Sequence, residues 1–178
     1  MATGLKLTLQ RIWWRHQARH PALQALLREP IQQRPFNASR YVVIDLETTA
    51  LQPTAGEIAS IAWVVIEQGA IHLNQSCYFH LALNREVGQS AVFHQLTDTD
   101  LEQGVNIKVA LEALLDALPN SILVFHNAQL DMGFINQAMR TLWGAPLLMP
   151  VVDTLQVERK RLLQRSAAIQ AGVLQGDV

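Results

Sequence analysis

Residues 41–47, Tyr-Val-Val-Ile-Asp-Leu-Glu, constrain the fold more than any other stretch. Four apolar residues, two of them valine and one isoleucine, precede two carboxylates. Such a run reads as a central strand, because β-branched side chains pack well on a pleated surface. Asp45 and Glu47 stand two apart, so they project to the same side of that strand. Two carboxylates on one side repel each other unless turn amides satisfy them at a rim or a cation lies between them. Oxygen ligands of this kind suit a hard divalent ion, Mg²⁺ or Mn²⁺.

The elements after this strand set the fold class. Residues 50–56 make a turn. Ile58–Glu67 and Ile71–His80 read as strands joined at Gln68-Gly69, giving an antiparallel β-meander. Residues 97–103 and 105–118 read as helical, the second on the spacing of Val105, Val109, Leu111, Leu114, Leu115 and Leu118. Ser121–His126 reads as a fourth strand and 129–142 as a helix. Leu147–Val152 reads as a fifth strand and 154–166 as a helix. The order βββαβαβα predicts an α/β fold with one mixed five-stranded sheet flanked by helices. The late strands run parallel to the first because helices cross between them.

Composition narrows the class. The 178 residues are 49% hydrophobic and 16% charged, which suits one domain with a real core and excludes disorder throughout. The single Cys77 excludes an internal disulfide framework and a cysteine-built zinc site and fits a reducing cytoplasm. No apolar run reaches membrane-spanning length, and no secretory signal is visible, since Arg11, Arg15 and Arg19 occupy the N-terminal stretch. The expectation is therefore a cytoplasmic protein without a membrane partner.

Charge divides the chain unevenly. Residues 1–40 hold seven Lys or Arg against Glu29 alone, whereas 41–178 hold seven against fourteen acids. Residues 5–28 read as an amphipathic helix that Pro21 breaks or restarts, and 29–40 read as a linker. The predicted organisation is a basic helical arm and linker over 1–40 ahead of a domain over 41–178. Arg11, Arg15 and Arg19, at four-residue steps, read as one solvated face; contact with nucleic acid or an acidic partner is the other reading.

Asp131 opens the helix after the fourth strand. It reads either as a carboxylate complementing the helix dipole or as a third acid. If strands one and four are parallel neighbours, their C-terminal ends bring Asp131 towards Asp45 and Glu47. Three converging carboxylates suit two-metal phosphoryl chemistry. Asp153 reads foremost as the cap of the helix that follows it, with a ligand role as the alternative. His72 and His80 read as solvent-side residues of the third strand. Asp98, Asp100 and Glu102 read as a first-turn charge cluster, and Trp13-Trp14 as packing of the arm on the body.

Four ordered segments carry a family likeness. Val43–Thr49 resembles the first motif of the DEDD-type 3′–5′ exonucleases, similar to the proofreading epsilon subunit of bacterial DNA polymerase III. Phe125–Asp131 resembles the second motif, Val92–Thr97 the nucleotide-binding segment, and Val151–Leu155 the fifth strand and its helix. The resemblance implies a ribonuclease-H-like fold and hydrolysis of DNA or RNA from the 3′ end to nucleoside monophosphates. It implies Asp45, Glu47 and Asp131 as ligands of two divalent cations, Mg²⁺ or Mn²⁺. It implies Thr48, Thr49, Phe93, His94 and Asn127 as lining of the terminal-nucleotide pocket. The implied partners are single-stranded or 3′-end DNA or RNA and a polymerase or other replication or repair protein. The family's late histidine and fourth aspartate find no match, because His126 is the last histidine in the 178 residues. The chain therefore reads as incomplete at its C-terminal side, lacking the family's last helices. The rival reading is a catalytically degenerate nucleic-acid-binding or polymerase-associated module.

Overall fold

A computed structural model describes residues 2–31, 34–83 and 104–170, with side chains from 6 to 169 within them. The expected helix 97–103 and its acids fall outside these residues. Two helices come first, α1 (Ala2–Gln17) and α2 (Pro21–Arg28), followed by a 3₁₀ turn at Phe36–Ala38. Strands β1 (Arg40–Thr48), β2 (Ile58–Glu67) and β3 (Ala70–His80) form the meander. Then come α3 (Ile107–Ala117), β4 (Ser121–Phe125), α4 (Ala128–Trp143), β5 (Val151–Asp153) and α5 (Thr154–Gln170).

The sheet has the order β3-β2-β1-β4-β5. β1 is antiparallel to β2 and parallel to β4, and β5 is parallel to β4. Gln68 and Gly69 both have positive φ, 53° and 77°, the backbone that a two-residue hairpin needs to match strand twist. Asn106 caps α3 by accepting the Lys108 N–H. At the other end, Gly144 (φ 77°) closes α4 in the left-handed conformation open to glycine.

Alternation along the strands separates two faces. Val42, Ile44, Ile61, Trp63, Val65, Leu123 and Phe125 are buried in one core cluster with Leu111, Leu114 and Leu115 of α3 and Phe134, Ile135 and Met139 of α4. On the other face Val43, Val64, Ile66, Ile122 and Val124 are only half-buried. Asp45 and Glu47 continue this second, more open face.

The third strand stands where expected, though its pairing with β2 shifts between Trp63 and Val65 and Leu73 is exposed. Two sequence expectations need revision. The fifth strand spans three residues rather than 147–152. Its predecessors are drawn away from the ladder: Leu147 is buried with its N–H on Asn136 Oδ1, and Pro150 has no N–H to give. Nor do the three arginines share a solvated face. α1 ends at Gln17, so Arg19 leaves the helical register, while Arg11 is 5% exposed. Arg11 donates to the carbonyls of Leu26 (2.5 Å) and Glu29 (2.7 Å) at the end of α2. These carbonyls are helix-terminal acceptors without helical partners, and a guanidinium satisfies both.

That clamp fastens α1 to α2, and α2 joins the core through Leu23, Leu26 and Leu27. The Arg19 N–H donates to Trp143 O at the end of α4 (2.8 Å). Trp14 packs against the core while Trp13 is 56% exposed, as expected for neighbours on a helix, which cannot share a face. His72 and His80 are half-buried. Among the described residues no helix is long and apolar enough to cross a membrane. Arg11→Ala leaves two carbonyls and a side-chain volume unsatisfied. It should cost about 2–3 kcal/mol in urea unfolding, and an unchanged midpoint would show that the clamp holds nothing.

Candidate active site

The site is built where two parallel strands end at different heights. In the β1–β4 register Val43 lies beside Val124. β4 stops one residue later, at Phe125, while β1 continues to Thr48. Asp45 and Glu47 therefore overhang the end of β4, where Asp45 is exposed and Glu47 half-buried. The chain turns sharply at Asn127 (φ 73°, left-handed) and enters α4 at Ala128. That turn carries Asp131, in the first turn of α4, back towards β1.

Asp131 is 7% exposed. Its carboxyl is pushed up to about 6, chiefly by burial. The negative charges of Asp45 and, less strongly, Asp153 push in the same direction. Backbone N–H donors, its own and that of Leu46, oppose the rise. Asp131 and Asp45 are thus close enough to repel, and the Leu46 N–H partly offsets that repulsion. Among the described residues no three His, Cys, Asp or Glu side chains come close enough together to hold an ion. The structure brings the pair Asp45–Asp131 together, and Glu47 stands on the same strand side as Asp45 without closing the group.

The neighbouring hydroxyls are engaged in the turn after β1. Thr48 Oγ1 donates to Ala50 O (2.8 Å), and Thr49 Oγ1 accepts the Glu57 N–H (2.9 Å). Asn127 is exposed beside the overhang. Phe93 and His94 lie outside the described residues.

Asp153, at the end of β5, does more than cap one helix. Its Oδ1 accepts from Leu155 N (3.0 Å) and Gln156 N (3.4 Å) at the start of α5. The same carboxylate accepts from Asn127 N (3.1 Å) and Ala128 N (3.2 Å) at the start of α4. Burial raises its pKa, but these four N–H donors outweigh that and leave it below the ordinary carboxylate range. The second pair of bonds is not readable from the chain: Asp153 and Asn127 meet only because β5 pairs with β4. Beside it, Thr154 Oγ1 donates to Phe125 O (3.1 Å) and meets His126 Nδ1 (3.0 Å).

A buried acid with a raised pKa stabilises the fold only while protonated. The contribution of Asp131 is complete below the ordinary carboxylate value and is lost as the pH rises through about 6. In EDTA, Asp131→Asn should gain stability over the wild type as the pH goes from 5 to 8, reaching roughly 1–2 kcal/mol. Calorimetry at several pH values tests this, and a pH-independent difference would contradict it.

Residues 42–172 match the RNase T exonuclease family. The PolC-type DNA polymerase III of Thermotoga petrophila is 30% identical over 152 residues, 85% of this chain and 11% of that protein. The DNA polymerase III epsilon subunit of Buchnera aphidicola is 31% identical over 135 residues, 70% of this chain and 56% of that one. The chain thus spans about a tenth of the first relative and little more than half of the second. Among solved structures, Escherichia coli exonuclease I in a metal-free complex with single-stranded DNA superposes with a TM-score of 0.57 at 15% identity. That match covers 68% of this chain and 29% of that one. It shows a shared ribonuclease-H-like fold, in agreement with the mixed sheet. A match over nearly three-quarters of its length, together with the four ordered motifs, means that the chain belongs to the exonuclease family.

Proposed function

We propose that the chain is a metal-dependent 3′–5′ exonuclease that hydrolyses terminal phosphodiester bonds of DNA or RNA to nucleoside monophosphates. One observation carries the reading: within the family-matched segment, Asp45 overhangs β4 and acts electrostatically on the buried Asp131. Repelling carboxylates at a strand end have a use when a cation is shared between them.

The donor chemistry fits a hard divalent ion, since Asp45, Glu47 and Asp131 offer only oxygen ligands. These three residues would hold two ions, Mg²⁺ or Mn²⁺. When bound, such ions activate water and stabilise the leaving oxygen. The chain's own groups do the rest. The Leu46 N–H favours the ionised form of Asp131. Asp153 fixes the starts of α4 and α5, holding Asn127 at the rim. Thr48, Thr49, Phe93, His94 and Asn127 line the pocket for the terminal nucleotide in this reading. A single strand with a free 3′ end is the proposed ligand, by likeness to the fold of exonuclease I, which was solved with single-stranded DNA. A replication polymerase is the proposed partner, by likeness to the PolC-type and epsilon relatives. Residues 1–40, which precede the matched segment, form the proposed N-terminal arm of the exonuclease domain.

The test is a time course on 5′-labelled single-stranded DNA and RNA with Mg²⁺, Mn²⁺ or EDTA. A metal-dependent ladder that falls at least ~100-fold in Asp45→Ala is expected. Among the described residues Asp45, Glu47 and Asp131 do not close into one group, which favours a second reading, a module that grips single strands without cutting. Salt-sensitive binding with no monophosphate release would establish that reading instead.

A further inference from the structure

The turn that leaves the candidate site is fastened to the helix that enters it. Residues 49–57 form a strap between β1 and β2. Its base is closed by Thr49 N donating to Glu57 O (3.0 Å) and by Glu57 N donating to Thr49 Oγ1 (2.9 Å). Its tip lies on α4. Pro53 O accepts from Gln137 Nε2 at 2.8 Å. One helical turn earlier, Gly133 receives the Pro53 ring: a Cβ added there would stand 2.9 Å from Pro53 Cγ. Residues 133 and 137 are i and i+4, so they form one stripe along the helix surface. Gly133 is also only two residues beyond Asp131. The strap thus joins the strand carrying Asp45, Glu47 and Thr48 to the helix carrying Asp131.

We propose that Gln137 and Gly133 are positioning residues that seat the strap and so hold Thr48 and Thr49 in register with Asp131 for the terminal nucleotide. This rests on the exonuclease reading of the site. The seat acts on substrate binding more than on the chemical step. Asp45 is held by its own pairing within the sheet, opposite Ala62, whereas Thr49 lies outside the strand and depends on the strap. Gln137 is exposed, so replacing it leaves the core intact.

Two measurements separate the seat from the activity. The first is amide exchange at Thr49 and Ala55 in wild type, Gln137→Ala and Gly133→Ala, with no substrate present. Faster exchange in both variants is expected, and unchanged exchange overturns the seat whatever the chain catalyses. The second is 3′-end hydrolysis. Gln137→Ala should raise KM about three- to tenfold, the worth of one hydrogen bond, with kcat nearly unchanged. Gln137→Lys keeps a donor of similar reach and should restore KM. A fall in kcat at constant KM marks a merely structural effect and overturns the positioning role, as does an unchanged KM. A wild-type chain that releases no monophosphate counts against the exonuclease reading, not against the seat. The Kd for the single-stranded oligonucleotide then replaces KM, and an unchanged Kd in Gln137→Ala overturns the proposal.

Discussion

The parallel pairing of β1 with β4, in one register, governs the rest of the molecule. Val43 beside Val124 is the last pair of that register. Asp45 and Glu47 lie past that point. Had the pairing slipped by two residues, Asp45 would lie beside a paired strand and Asp131 would enter beneath it. Register is held by burial, because Val42 and Ile44 face the core with Leu123 and Phe125. The position of the carboxylates is thus a consequence of packing several residues away.

A second constraint acts at the same height. Two helices, α4 and α5, begin beside each other at the ends of β4 and β5, and each presents unpaired N–H groups. One carboxylate, Asp153, takes two from each. Its negative charge also suits both helix N-termini. This use of Asp153 engages both of its oxygens with backbone donors. It therefore reads as the clasp of the site's floor, and the proposed ligands are the acids on β1 and α4.

Much of the fold was legible because it depends on local period. β-branched runs, the Gln68-Gly69 turn and the apolar spacing of α3 all act within a few residues. Asp45 and Glu47 draw attention for the same reason, since carboxylates at the end of an apolar strand break a local rule and ask for a partner. The features that stayed hidden depend on contacts distant in the chain. Arg11 looks like its neighbours Arg15 and Arg19 in sequence, yet it is buried because two helix-end carbonyls 15 and 18 residues away need a donor. The shortening of β5 depends on Asn136 capturing the Leu147 N–H. The seat of Pro53 on Gly133 joins positions 80 residues apart, and a glycine inside a helix pattern does not announce what it must admit.

Three departures from ordinary stability lie at one end of the sheet. Asp131 is buried with a carboxyl that resists ionisation, and Asp45 worsens this by its charge. Asn127 occupies a left-handed backbone region that non-glycine residues enter at a cost. α4 gives up a side chain at Gly133, where glycine is less favourable than alanine by roughly 1 kcal/mol in a helix interior. None of these helps the core, which is complete without them. Gln68 and Asn120 also have positive φ, but both lie in turns at the other end of the sheet, where a chain reversal accounts for them. The departures of Asp131, Asn127 and Gly133 instead lie around the overhang of β1, the place that the family's first two motifs single out, and departures of this kind persist where a site needs them.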